Sequence, residues 1–197
     1  MKVKGLETSR YETTAAALNF TSYLLAKNPD VQDKLQEEID AHFPDVSLVC
    51  NYDNVSELEY LDMVLCESMR VYPPIPLHIG RWASKERTIC GKRIPQGTGV
   101  LAATWVLHHN PKFWPDPWRF DPERFAPENR DKIIEMTYMP FGEGPRNCIG
   151  RRFALMEAKM ALVEFFRYKL SILFQPLTCI EDATAWISAT RHLTLCL

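Results

Sequence analysis

The sequence predicts a mainly α-helical fold with a small β-sheet. Three observations carry that expectation. Helix-forming segments with apolar stripes fill the first third of the chain, short strand-like runs flank Gly91, and another striped segment starts at Arg151. The 197 residues carry a net charge of −2 and are 46% hydrophobic, which is the composition of a globular domain. Near-neutral charge gives no global attraction to nucleic acid or to an anionic membrane surface. No apolar run reaches the roughly 18 residues needed to span a bilayer. The opening MKVKGLETSR lacks the apolar stretch of a signal peptide. Six cysteines lie far apart with no CxxC pair, which fits a reducing compartment better than a disulfide framework or a zinc cluster.

The elements follow in order. From Glu12 to Lys27 the chain is rich in helix formers and free of Gly and Pro. Asn28-Pro29 ends that helix and starts a second, with Asn28 as N-cap and Pro29 at the first helical position. Val31, Leu35 and Ile39 form the apolar stripe of the second helix, and Phe43-Pro44 closes it. Asp45 to Val55 reads as a loop. Ser56 and Glu59 have capping-box spacing before a third helix at about Glu57 to Val71, stopped by Tyr72-Pro73-Pro74. Arg87–Cys90 and Lys92–Ile94 around Gly91 predict a hairpin, and Pro95 to Gly99 a further turn. Val100 to Trp105 predicts a strand leading into a short helix near His108. The stretch from Pro111 to Pro145 is irregular and rich in Pro, Asp, Asn and aromatics, and so long a connection is usually functional or tightly packed. A last helix runs from about Arg151 to Leu170, with strands possible in the tail from Ser171. No repeat or linker divides the chain.

The most informative segment is Phe141-Gly142-Glu143-Gly144-Pro145-Arg146-Asn147-Cys148-Ile149-Gly150. A glycine-bracketed loop sets one cysteine just before a long helix, where backbone N–H groups and the helix dipole favour an anion and hence a thiolate. A thiolate is a strong axial donor to heme iron, and glycines let backbone lie against a flat macrocycle. Arg146 can pair with a carboxylate. Read in isolation, such a cysteine is more often a buried structural residue. Glu67 and Arg70, three apart, share a helix face and can pair; taken alone, such spacing is more often an ordinary surface ion pair. In Tyr11-Glu12-Thr13-Thr14 an acid stands beside a threonine, which suits either the first turn of a helix or a mid-helix proton relay. His108-His109 reads as a surface pair, since adjacent helical side chains diverge by about 100°. Phe113, Trp114, Trp118 and Phe120 read as packing aromatics.

All five spaced positions of the loop match FxxGxRxCxG. Together with the ExxR of Glu67 and Arg70 and the Pro122-Glu123-Arg124-Phe125 segment, in that chain order, the sequence resembles the C-terminal portion of the cytochrome P-450 family of heme-thiolate monooxygenases. It looks most similar to animal microsomal members that oxidise xenobiotics and steroids, and to thromboxane synthase. The resemblance implies that residues 1–197 form one partial domain: oxygen-activation helix, ExxR helix, PERF meander, cysteine loop and final helix, with the N-terminal half of the fold missing. Cys148 would ligate the iron of heme b, with Phe141 in the cofactor loop and Arg146 and Arg81 on the propionates. Glu12 and Thr13 would deliver protons, although Ser9-Arg10 stand where the family has Ala-Gly. Glu67, Arg70 and Arg124 would form a buried structural triad, and Ile75, Leu77, His78 and Ile79 would line the substrate pocket.

The implied reaction inserts one atom of O2 into a small apolar organic substrate, with electrons from NADPH through NADPH-cytochrome P-450 reductase. Arg151, Arg152, Lys159, Arg167 and Lys169 form a candidate face for that partner or, equally, a solvated face. No nucleic-acid partner is expected. The implied location is the cytosolic face of the endoplasmic reticulum membrane, through an N-terminal anchor this chain lacks. The alternatives are a non-catalytic fragment without stable heme and an isomerase of the thromboxane-synthase type.

Overall fold

The structure is a computed structural model, and it describes residues 4–45, 48–76 and 78–168. The expected tail strands, Leu77, Lys169, Leu170 and the last two cysteines lie outside the described residues. Helix α1 (Lys4–Lys27) begins well before Glu12, so Glu12 and Thr13 sit mid-helix and not in a first turn. Helix α2 (Pro29–His42) starts at the expected proline and buries Val31, Leu35 and Ile39. Asn28, however, does not cap it by its side chain. Its amide nitrogen donates to the Leu24 carbonyl at 2.7 Å and so finishes α1 instead. A free helix end leaves carbonyls wanting donors, and Asn28 is within reach of those of α1.

The expected loop after α2 contains a short helix, α3 (Tyr52–Ser56). Asn51 accepts from the Asp53 and Asn54 amides, and Asn54 accepts from the Asn51 amide at 2.9 Å, closing a capping box built from two asparagines. Ser56, expected to cap the next helix, donates to the Asp53 carbonyl at 2.7 Å. Helix α4 (Glu59–Val71) is capped from elsewhere. The Glu38 carboxylate of α2 accepts from the Tyr60 and Leu61 amides at 2.7 and 2.9 Å. A carboxylate there both satisfies orphan N–H groups and complements the helix dipole.

The β content forms two separate two-stranded antiparallel sheets among the described residues. Strand β1 (His78–Trp82) pairs with β4 (Gly99–Ala102), and β2 (Arg87–Ile89) pairs with β3 (Lys92–Ile94). Cys90 and Gly91 connect the second pair with φ of 47° and 74°. Two left-handed residues make the turn whose twist matches that of a hairpin. Helix α5 (Thr104–His108) follows β4, and the irregular stretch contains 3-10 turns at Pro122–Phe125 and Pro127–Lys132. Helix α6 (Arg151–Arg167) is the last described element.

Helices α1, α2, α4 and α6 enclose the main core, which includes Leu24, Leu35, Ile39, Leu61, Leu65, Leu162 and Phe166. A second cluster of Met63, Trp114, Phe125 and Ala126 packs the other side of α4 against the irregular stretch. Helix α4 is therefore apolar on two faces and lies between two layers. The hydroxyls of Thr21 on α1 and Ser68 on α4 meet at 2.8 Å inside the main layer, and Thr21 also lies 2.8 Å from the Ala17 carbonyl.

Candidate functional site

Cys148 stands two residues before Gly150, the N-cap of α6, and is exposed. Its amide donates to the Phe141 carbonyl at 2.9 Å, closing the loop into a compact arch. Gly142 and Gly144 turn that arch with φ of 71° and 82°, values side-chain-bearing residues rarely adopt. Phe141 is half-buried against the main core and anchors the base of the arch. Beside Cys148, Ile149 is 99% and Phe153 58% exposed. The space lined by Asn147, Cys148, Ile149, Arg151 and Arg152 is a broad, open depression. Arg81, from β1, donates to the Arg146 carbonyl at 3.4 Å, so two exposed arginines from separate elements are adjacent.

This donor set fits heme. An exposed sulfur, exposed apolar side chains next to it, and two exposed arginines, one of them reaching the other's main-chain carbonyl, are the chemistry that iron, an apolar ring and carboxylates would need. Among the described residues there is no group of three or more His, Cys, Asp or Glu that could hold a metal ion.

The second constellation is buried. Arg70 donates to both Glu67 oxygens, at 2.7 Å from Nε and 2.8 Å from Nη2. The Asp121 amide donates to the same carboxylate at 3.0 Å, and Arg124 Nε lies 3.5 Å from it. Arg70 also donates to the His108 carbonyl at 2.8 Å and the Arg119 carbonyl at 3.3 Å. Arg124 Nη2 donates to the Asp116 carbonyl at 2.9 Å. The structure thus brings Glu67, Arg70 and Arg124 together and ties α4 to the irregular stretch. Burial pushes the Glu67 carboxyl up from its ordinary value, against the opposing pull of Arg70, the Asp121 amide and Arg124.

Other expected residues are more dispersed. Glu12 is exposed and Thr13 half-buried on α1. Ile75 is half-buried after α4, His78 and Ile79 belong to β1, and Leu77 is not described. The expectation for the two histidines needs correction: His108 is fully buried. Its Nε2 accepts from the Met139 amide at 3.0 Å, and its ring stacks on Tyr138. His109 lies instead between Trp105 and Trp118. The candidate docking face also changes. Lys159 is buried and reaches Asp62 at 2.8 Å. Arg167 turns in over the Phe43 ring and donates to the Leu48 carbonyl at 2.6 Å. Only Arg151 and Arg152 of that set are exposed among the described residues. The sequence reading missed Glu38 and His108, whose roles depend on partners distant in the chain.

The family model described as cytochrome P-450 matches residues 10–193, and the chain belongs to the cytochrome P-450 family. It is 51% identical over 157 residues to cytochrome P-450 3A19 of the goat Capra hircus aegagrus, covering 80% of this chain and 71% of that protein. It is 53% identical over 153 residues to cytochrome P-450 3A12 of the dog Canis lupus familiaris, covering 78% of this chain and 30% of that protein. The match to cytochrome P-450 3A29 of the pig Sus scrofa is 51% over 184 residues, covering 93% of this chain and 35% of the relative. The chain thus spans about a third of the length of the dog and pig proteins.

Proposed function

We propose that this chain supplies the heme-thiolate portion of a monooxygenase acting on small apolar organic substrates. The observation that carries the reading is the exposed sulfur of Cys148 at the start of α6, flanked by bare apolar side chains and by the adjacent Arg81 and Arg146. When bound, heme supplies the activation of O2, one atom of which enters the substrate, with electrons drawn from NADPH through a flavoprotein reductase. The chain's own residues bind and orient. Cys148 Sγ would ligate iron, Arg81 and Arg146 would hold the propionates, and the exposed Ile149 and Phe153 would offer apolar surface to the cofactor. Glu12 and Thr13 pass protons from α1. Ile75, Leu77, His78 and Ile79 line the substrate side, and the Glu67, Arg70 and Arg124 cluster fixes the stretch leading to the loop. Residence at the cytosolic face of the endoplasmic reticulum membrane belongs to the same proposal. No described helix is long and apolar enough to cross a membrane.

The test is the carbon monoxide difference spectrum of the reduced, heme-loaded protein. A thiolate-type Soret band is expected, and Cys148→Ser should abolish it. Retention of the band in the variant would remove Cys148 as the ligand. Heme binding without oxygen-dependent substrate turnover would favour an isomerase of the thromboxane-synthase type, and failure to bind heme a non-catalytic chain.

A further inference from the structure

We propose that His108 is a positioning residue that couples the buried Glu67 and Arg70 pair to the loop presenting Cys148. Its functional meaning rests on Cys148 being the heme ligand. His108 is engaged from both ends. Its carbonyl accepts from Arg70 Nη1 at 2.8 Å, and its side-chain Nε2 accepts from the Met139 amide at 3.0 Å. An amide can only donate, so Nε2 carries the lone pair and the ring proton sits on Nδ1. The residue is fully buried, so the Met139 amide has no ready substitute for this acceptor.

The line continues to the sulfur through main chain alone. The Met139 carbonyl accepts from the Gly142 amide at 3.1 Å, and the Phe141 carbonyl accepts from the Cys148 amide at 2.9 Å. Beside it, the His108 ring stacks on Tyr138 at 5.4 Å between centroids with an interplanar angle of 22°. The Tyr138 hydroxyl donates to the Cys66 carbonyl of α4 at 3.0 Å. The residues at which the irregular stretch becomes the cysteine loop are thus fastened to α4 directly by Tyr138 and through α5 by His108. A space-filling ring would need only the stack. The acceptor on Nε2 gives His108 a directional hold on the backbone of the arch.

Three substitutions in the heme-loaded protein test this. His108→Gln carries a side-chain oxygen at about the reach of Nε2. His108→Asn is one methylene too short. His108→Phe keeps the ring and its stack but has no acceptor. Hydrogen exchange over residues 139–148 is measured beside the carbon monoxide difference spectrum. The Asn and Phe variants should lose protection there by about tenfold or more, the scale of a buried amide left without its acceptor. They should also move part of the carbonyl complex out of the thiolate-type band. The Gln variant should keep both properties near the parent. Equal behaviour of Gln and Asn, or unchanged exchange in both Asn and Phe, would overturn the proposal. Should His108→Phe fail to fold, the Gln and Asn comparison decides the matter alone. Should the parent show no thiolate-type band, the heme assignment fails, while exchange in the heme-free protein still decides whether His108 holds the loop.

Discussion

Arg70 grips Glu67 through two parallel hydrogen bonds, and neither side chain has any solvent exposure. Buried pairs of this kind add little over apolar packing but are costly to break, because one charge remains without its partner. Arg70→Ala should therefore lower stability by roughly 3–5 kcal/mol, read as a shift in urea midpoint. Arg124 stands farther off, at 3.5 Å. A double-mutant cycle on Glu67→Ala and Arg124→Ala should give a coupling of about 0.5–3 kcal/mol. Additive losses would show that their contact carries no energy.

Glu38, not Ser56, should matter to the start of α4. Removing a helix cap costs about 0.5–2 kcal/mol, and Glu38 accepts from two amides there. Glu38→Ala should fall in that range by chemical denaturation. Ser56→Ala should stay within about 0.5 kcal/mol, since its hydroxyl serves only the Asp53 carbonyl.

Lys159→Glu should destabilise the fold instead of merely altering a surface. It would set two carboxylates together where Lys159 now meets Asp62 at 2.8 Å. The expected loss is about 3 kcal/mol, the low end for a buried pair, because the Asp62 side chain remains 40% exposed. Arg152→Glu, at an exposed position, should leave stability within about 0.5 kcal/mol. It should slow reduction by an acidic redox partner and flatten its salt dependence. Stopped-flow reduction across ionic strength separates the two variants.

Acid should weaken the fold through His109. Burial lowers its pKa from the ordinary value of 6.5, aided by the charge of Arg70 and opposed by the Trp105 and Val71 carbonyls. Below about pH 6.5 the unfolded chain then binds more protons than the folded one, so stability falls as pH drops from there through the folded-state value. Above about pH 6.5 this contribution is fully present. Urea midpoints of His109→Gln should show a shallower decline between about pH 6.5 and 5 than the parent; parallel curves would exclude His109 as a source of that slope.

Thiol labelling should sort the cysteines by environment. Cys90 and Cys148 are exposed, whereas burial raises the pKa of Cys66. An alkylating reagent at neutral pH should modify Cys90 and Cys148 in the folded, heme-free chain and Cys66 only after unfolding. Heme should protect Cys148 and leave Cys90 reactive. Peptide mass spectrometry gives the order.

What the sequence made legible was local. Pro29 marked the start of a helix, and Gly91 the turn of a hairpin, because both act through their own backbone angles. The cysteine loop was legible because its glycines and cysteine are contiguous. The cap on α4 was not, since Glu38 belongs to another helix and Ser56 offered a plausible local substitute. Lys159 looked like part of a charged face because nothing nearby in sequence announces Asp62. His108 was misplaced for the same reason: an adjacent pair of histidines says nothing about which ring meets Met139.

The contact between Thr21 and Ser68 sets a limit on how α1 can move. Both hydroxyls are sealed inside an apolar layer. Sliding α1 by one helical turn, about 5.4 Å, would part them; Thr21 would keep the Ala17 carbonyl of its own helix, but Ser68 would lose this partner inside the apolar layer, at roughly 1–3 kcal/mol. The contact acts as a detent: α1 can tilt or bend about it far more cheaply than it can ratchet lengthwise along α4. Thr13 lies eight residues before Thr21 on the same helix, a lever arm of about 12 Å. Any rearrangement that admits a bulky guest beneath the first half of α1 should therefore swing that end like a hinged bar while Thr21 stays in place.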